Sequence, residues 1–282
     1  MSLQGKTLFI TGGSRGIGLA IALRAARDGA NIVIAAKTEH PDPRLPGTIH
    51  TAAAEIEAAG GRALALALDI REEEKVAQAV ARAAEHFGGI DILINNASAI
   101  RLTGTLDTPV KRYDLMHGVN GRGTFVCSQA CLPYLRQAEN PHILTMSPPL
   151  SHDPKWFARF PNYSIAKYTM SLFTLAHAAE FRQYGVAVNS LWPRSTIATA
   201  AVANEIGGEA MLRASRRPEI MADAAWHILT ANAKKVSGNF FLDDEVLIAA
   251  GVRDLAHYDM TPGARLQADF FVEALPGMLP AA

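Results

Sequence analysis

The sequence predicts a doubly wound α/β fold, one parallel sheet with helices on both faces. Three observations carry that expectation. Short apolar or β-branched runs alternate with long alanine-rich helical stretches; the clearest runs are apolar at consecutive positions, as in strands covered on both faces; and the alternation continues to about residue 245 without a Gly/Ser linker.

The expected strands are KTLFIT (6–11), NIVIAA (31–36), ALALAL (63–68), DILIN (91–95), HILTMS (142–147), VAVNSLW (186–192) and NFFLD (239–243). The helices between them are expected in GLAIALRAARDGA, TIHTAAAEIEAAGG and REEEKVAQAVARAAEHFGG, in residues 110–137 and 162–184, and in RPEIMADAAWHILTA. Three of these stretches close on Gly29, Gly60 and Gly88, where helix C-termini favour glycine. Two segments break the rhythm: the proline-rich TEHPDPRLPG (38–47) and a tail from Val246 that is too short for a domain. We therefore expect one domain, with residues 1–245 as its main body and 246–282 as an extension of it.

Bulk composition narrows the functional classes. The 282 residues are 49% hydrophobic and 19% charged, enough for a large core and too apolar for disorder. Lys plus Arg and Asp plus Glu are 27 each, so no overall field favours nucleic acid or anionic lipid. Cys127 and Cys131 lie four apart on one expected helix, with no Cys-x-x-Cys or His-Glu-x-x-His pattern, so they are expected to pack as small apolar residues and no metal site is expected. The N-terminus lacks the pattern of a signal peptide, and no run approaches the roughly 18 apolar residues of a membrane span. A soluble protein of the reducing cytoplasm is the expectation.

The first strand runs into TGGSRGIG (Thr11 to Gly18) and then a helix. Glycines at 12, 16 and 18 make the turn tight, let the backbone approach a pyrophosphate and set that anion at the amide-rich helix N-terminus. Selection of NAD usually places an acid at the end of the second strand, bonded to the ribose 2′-hydroxyl. Here that strand ends Ala35-Ala36-Lys37. Lys37 and Arg15 suit a 2′-phosphate, which favours NADP(H). NAD(H) is the alternative, with Glu39 in the acid's role.

Residues 161–168 read PNYSIAKY and open a helix, with Tyr163 and Lys167 four apart on one face. A free phenol has a pKa of about 10. An ammonium about 4 Å away contributes on the order of 4 kcal/mol at an effective dielectric of 20, roughly three pK units before desolvation. That pairing would bring the phenol toward acid/base work at neutrality. Upstream, HILTMSPP ends a strand on Ser147, held by Pro148 and Pro149, which restrict the backbone.

Taken in order, Thr11-Gly-x-x-x-Gly-x-Gly18, Asn95-Asn96-Ala97, Asn120, Ser147 and Tyr163-x-x-x-Lys167 resemble the short-chain dehydrogenase/reductase superfamily over about residues 5–245. The stretches AAKTEHPDPRLPGTIHTAAAEIEAAGG, SPPL and LWPRSTIATAA are similar to its hydroxysteroid dehydrogenase-like protein 2 group, whose members often carry a C-terminal sterol-carrier domain.

The resemblance implies a Rossmann-type sheet of seven parallel strands and NAD(P)-dependent interconversion of alcohol and carbonyl. It assigns Tyr163 to proton exchange with the substrate oxygen, and Lys167 to lowering the phenol pKa and bonding the nicotinamide ribose. Ser147 would hold the carbonyl oxygen, and Asn120 would support a water relay. Cofactor contacts are implied for Gly12, Ser14, Arg15, Gly16, Ile17, Gly18, Lys37, Asp69, Ile70, Asn96, Ala97, Tyr163, Lys167, Pro193 and Thr196. Thr199, one position late, is the alternative to Thr196. A homodimer or homotetramer is implied, through the helices at 110–137 and 162–184.

Three departures from the family pattern stand out. Pro193-Arg194 replaces Pro-Gly, Asp243-Asp244-Glu245 replaces Asp-Gly-Gly, and the spacing from Ser147 to Tyr163 is long. Ser98, Ala99, Ile100, Pro148 to Leu150, Trp156, Phe157 and Trp192 predict an apolar pocket for a lipid-like carbonyl or secondary alcohol. The opposing class is a catalytically silent NADP(H)-binding sensor or assembly subunit. The Asn120, Ser147, Tyr163, Lys167 set argues for the enzyme.

Overall fold

The computed structural model describes residues 2–43 and 45–281, so Arg44 of the proline-rich loop lies outside the described residues. Strands form where the apolar runs predict them: β1 Thr7–Thr11, β2 Asn31–Ala36, β3 Arg62–Ala67, β4 Ile92–Asn95, β5 His142–Thr145, β6 Ala187–Trp192 and β7 Phe240–Leu242. Among the described residues they make one seven-stranded sheet in the order β3-β2-β1-β4-β5-β6-β7, and every pairing is parallel. The order reverses between β1 and β4, the switch point where such sheets open a crevice beyond their carboxyl ends.

The helices are α1 Gly16–Ala26, α2 Ile49–Ala58, α3 Glu73–Phe87, α4 Val110–His117, α5 Gly123–Leu135, α6 Lys155–Ala158, α7 Pro161–Glu180, α8 Gly208–Arg213, α9 Glu219–Thr230 and α10 Asp243–Ala249. Alternate residues of each strand serve opposite faces. Leu8, Ile10, Ile32, Ile34 and Ile92 pack with Ile21 of α1, Ile56 of α2 and Ile228 of α9. Phe9, Val33, Leu93 and Ile143 pack with Val76 and Val80 of α3 and with Cys131 and Leu135 of α5. Both cysteines are fully buried in that second layer, and burial pushes the Cys127 thiol up to about 12, so they serve as packing residues. No helix among the described residues is long and apolar enough to cross a membrane.

The helix expected over 110–137 is divided. One wide π turn, Gly118–Arg122, joins α4 to α5. The small residues there allow close approach: a Cβ on Gly121 would stand 2.7 Å from Thr169 Cγ2 of α7, and one on Gly123 would stand 2.5 Å from Ile70 Cδ1. Such single wide turns gather at functional sites.

The two unusual stretches after β6 and β7 compensate each other. Arg194 donates its amide to Asp243 Oδ1 at 2.8 Å and its Nε to Asp244 Oδ2 at 3.0 Å, and also pairs with Glu245. The arginine that replaces glycine is thus neutralised by the acids that replace Gly-Gly.

A third apolar cluster sits at the carboxyl edge of the sheet and draws on distant segments. It joins Met116 of α4, Tyr163 and Tyr168 of α7, Trp192 of β6 and Phe270, Phe271 and Val272 of the tail. Fully burying each large side chain contributes about 1.5–3 kcal/mol, so the tail is firmly seated there.

Candidate active site

A cavity of about 550 Å³ opens at the carboxyl edge, above the switch point. Its floor at one end is the turn from β1 into α1. Gly12 adopts φ +67°, and a Cβ there would stand 3.0 Å from Ala97 Cα. A Cβ on Gly18 would stand 2.5 Å from Asn96 Nδ2 and 2.6 Å from the Gly12 carbonyl. Asn96 stitches this floor together, its amide nitrogen donating to the carbonyls of Thr11 and Gly12, both at 3.0 Å. The result is a close-approach cradle at a helix N-terminus, fit for a pyrophosphate.

Of the residues expected against the cofactor, Gly12, Ser14, Arg15, Gly16, Ile17, Lys37, Asp69, Ile70, Asn96, Ala97 and Pro193 line this cavity, with Tyr163 and Lys167. Gly18 lies behind the wall, where it permits the tight packing just described. Thr196 does not line the cavity. It is buried, and its hydroxyl is paired with that of Ser215 at 2.7 Å, whereas Thr199 does line it. Of the two alternatives, Thr199 is the one that lines the cavity.

The cationic pair is not free. Arg15 donates Nε to Pro46 O and Nη2 to Gly47 O, both at 2.9 Å, so its fork holds the proline-rich loop, whose Leu45 lines the cavity. Lys37 stands at the end of β2 with its side chain 61% exposed, 3.7 Å from Asp69 Oδ2. Asp69 is itself gripped by Arg71, whose hydrogen bonds hold its carboxyl down to about 2.

At the other end, α7 presents Tyr163 and Lys167 to the cavity. Lys167 is 2% exposed, donates Nζ to Met146 O at 2.7 Å and stands 4.9 Å from the Trp192 ring centroid. Burial holds its ammonium down to about 7. The Tyr163 phenol is pushed above its ordinary range by burial first, and further by Asp269 when that carboxyl is ionised. Within the chain alone, desolvation therefore outweighs the Coulombic benefit that the spacing of Tyr163 and Lys167 predicts. Among the described residues the Tyr163 hydroxyl has no hydrogen-bond partner.

Ser147 is a correction to the sequence expectation. Its hydroxyl does not face the cavity: it is fully buried and paired with Ser190 Oγ at 2.8 Å, and Ser190 donates to Thr174 Oγ1 of α7 at 2.9 Å. The period-two alternation of β5 runs on past its last paired residue. Met146 takes the cavity side, and Ser147 consequently turns inward to tie β5 and β6 to α7.

Asn120 also lies outside the cavity wall. From the π turn its side chain accepts from Ala99 N at 2.8 Å and donates to Ala99 O at 3.1 Å, fixing the loop after β4. That loop supplies Ser98, Ala99 and Ile100 to the cavity, as expected. Trp192 also lines it, whereas Pro148 to Leu150, Trp156 and Phe157 do not. Leu150, Trp156 and Phe157 pack instead in one cluster with Phe270 and Phe271 of the tail, of which Phe270 lines the cavity.

Asp269 and Phe270 line the cavity beside Tyr163 and Lys167, and sequence reasoning missed both. Phe271 packs with its ring centroid 6.1 Å from that of Tyr163 and 5.8 Å from that of Trp192. It is the non-glycine residue at positive φ, +69°, among the described residues. The faint signal was ADFF itself, two aromatics beside an acid in a tail that otherwise reads as loop.

Comparison with known proteins agrees with this geometry. A family model described as short chain dehydrogenase matches residues 6–208. Hydroxysteroid dehydrogenase-like protein 2 of Xenopus laevis is 53% identical over 280 residues, covering 99% of this chain and 66% of that protein. The Danio rerio protein of the same name is 54% identical over 274 residues, 97% of this chain and 65% of its own length. The chain thus spans slightly under two thirds of the curated relatives it matches. Among solved structures, one from Xanthomonas campestris is 60% identical with a TM-score of 0.94, covering 97% of this chain and 100% of that chain. A carveol dehydrogenase from Mycobacterium avium, solved in complex with NAD, shares the fold at 19% identity and a TM-score of 0.72, over 85% of this chain and 96% of that one.

Proposed function

The chain belongs to the short-chain dehydrogenase family, and from that premise we propose that it interconverts a carbonyl compound and its alcohol at the expense of NADP(H). One observation carries the reading: a single cavity joins the glycine cradle at the α1 N-terminus to Tyr163 and Lys167 on α7. A cofactor laid from one end to the other would bring its nicotinamide to the phenol. The nicotinamide, when bound, supplies or accepts the hydride.

The chain's own residues do the rest. Tyr163 exchanges a proton between its hydroxyl and the substrate oxygen. Lys167, held by Met146 O, presents its ammonium to the nicotinamide ribose and to the phenol. Asn120 acts one step back by positioning Ala99, and Ser147 by tying the strand edge to α7. Asn96 and Ala97 line the cavity beside the glycine turn, while Asp69 and Ile70, just past β3, would hold the adenine.

For the cofactor, NADP(H) is favoured because Lys37, which lines the cavity, could pair with a 2′-phosphate and no acid occupies the end of β2. Titration of tryptophan fluorescence with each cofactor reads the preference, since Trp192 lines the cavity. Tighter binding of NADH than of NADPH would refute NADP(H). The substrate is proposed to be apolar, because Ile100, Trp192, Ile206 and Phe270 line the cavity and pack in one cluster with Tyr163. NADPH consumption with long-chain and cyclic ketones is the test. Consumption with sugars or small acids instead would refute the substrate class, and consumption with no carbonyl compound would refute the enzyme.

The extension 246–282 is proposed to belong to the same domain, because Asp269 to Val272 complete the carbonyl end. A homodimer is proposed through α5 and α7, where Phe125, Ile165, Leu172 and Leu175 are exposed. Sedimentation of Leu172→Glu as a monomer beside a dimeric wild type would support it. Equal sedimentation of the two would overturn it.

A further inference from the structure

With Ser147 turned to Ser190, the carbonyl end needs another group to share the substrate oxygen with Tyr163. Its wall carries Tyr163, Lys167, Trp192, Asp269 and Phe270. The Lys167 ammonium is engaged with Met146 O, and the Trp192 indole donates to Phe270 O at 2.8 Å. The Tyr163 hydroxyl and the Asp269 carboxyl remain.

Asp269 is held in place from both sides. Its amide donates to Arg194 O at 3.0 Å, and two residues earlier Gln267 O accepts from Thr196 N at 2.9 Å. Two residues later, Phe271 holds positive φ, a conformation that is unfavourable for phenylalanine and persists where the surroundings enforce it. Asp269 as a residue is 8% exposed. Its Oδ1 accepts the Phe270 amide at 2.7 Å, and among the described residues Oδ2 has no hydrogen-bond partner. A carboxyl that lines the cavity with half of its capacity unused is open to a hydrogen bond with a ligand.

Resting on the reading of this cavity as a carbonyl-reducing site, we propose that Asp269 is a second catalytic residue, donating a hydrogen bond from its neutral carboxyl to the substrate oxygen beside Tyr163. Asp269 keeps its proton throughout, and the proton that enters the product comes from Tyr163. Burial supports the neutral form, since it raises this carboxyl to about 8. The fold thus supplies from its tail the hydrogen bond that β5 does not.

The test uses heptyl methyl ketone labelled with heavy carbon at its carbonyl, bound with NADP⁺ as a non-reacting complex, and isotope-edited infrared spectra. The bound carbonyl stretch should fall in wild type, recover in part in both Asp269→Leu and Tyr163→Phe, and stay low in Asp269→Asn, whose amide still donates. In parallel, kcat/KM for NADPH-dependent reduction should fall about 100-fold in Asp269→Leu, the usual loss for one such donor, and far less in Asp269→Asn. If Asp269→Leu does not fold, the wild-type carboxyl band that disappears in Asp269→Asn decides, because it should shift when the ketone binds. A carbonyl stretch and a carboxyl band indifferent to position 269, with turnover lost only in Tyr163→Phe, would overturn this role and leave the enzyme reading intact. A wild type that neither binds nor reduces any ketone of a broad panel would overturn both.

Discussion

The two ends of the cavity are built in opposite ways. The cofactor end has a local core: Gly12, Ser14 to Ile17 and Ala35 to Thr38 come from two consecutive strand ends and the turns that follow them, joined by the pairs Asp69-Ile70 and Asn96-Ala97 beyond the next two strands. Its chemistry needs little more than backbone that a Cβ would obstruct and a helix N-terminus, so the requirement is written in adjacent letters. The carbonyl end gathers Ile100, Tyr163, Trp192 and Asp269 from four separated segments. There the chemistry depends on which way a side chain turns at a strand end, and on where a tail comes to rest.

The difference can be broken or sharpened by substitution. The largest effect is expected at the carbonyl end. Tyr163→Phe should lower kcat about a thousandfold, within the range of general acid/base catalysis, while cofactor affinity stays within a factor of a few. At the cofactor end the reverse is expected. Gly18→Ala, whose added Cβ would meet Asn96 Nδ2 at 2.5 Å, should weaken binding of either cofactor by at least about tenfold and leave the pH profile of the residual activity unaltered. Equal losses of kcat and affinity in both variants would erase the distinction between the ends.

A smaller effect concerns stability. Arg194→Ala removes the partner of Asp244, which is 5% exposed, and should cost roughly 3 kcal/mol by chemical denaturation, the usual loss when one member of a buried pair is deleted. Asp244→Asn added to it should recover part of that loss. An unchanged denaturation midpoint in Arg194→Ala would show that the two departures from the family pattern do not compensate.

The smallest effect is a pH dependence. A carboxyl whose folded pKa is raised contributes stability that is complete below its unfolded pKa and is lost as pH rises through the folded value. For Asp269, with an ordinary value of 3.8 and a folded value of about 8, that window runs from about pH 4 to 8. Asp243, also buried and raised to about 7, and Lys167, lowered to about 7, titrate in the same region and are common to both proteins compared. The Tm of wild type relative to Asp269→Asn should therefore fall by a few degrees between pH 5 and 8 and level off above. A difference independent of pH would mean that Asp269 is ionised throughout.

The same contrast explains what the sequence made legible. Strand positions came within two residues because doubly covered strands leave unbroken apolar runs such as Asn31–Ala36. Tyr163 and Lys167 were legible because α7 itself enforces their spacing. Ser147 was misplaced because one residue of register at the end of β5 separates the cavity from the interior, and two following prolines do not say which side a hydroxyl takes. Asp269 and Phe270 carried no periodic signal, since they sit in irregular tail placed by tertiary contacts to Arg194 and Trp192. The division of 110–137 was hidden for a related reason: the π turn serves packing of Gly121 on Thr169, a contact between elements far apart in the chain.

The central claim is that one cavity binds a nicotinamide cofactor at the glycine turn and moves a proton through Tyr163. It is tested most directly by measuring NADPH consumption with an apolar ketone, together with the NADPH dissociation constant, in wild type and in Tyr163→Phe. The account predicts turnover in wild type, its loss in the variant and the same affinity in both. Turnover surviving in Tyr163→Phe, with the cofactor bound as before, would contradict it.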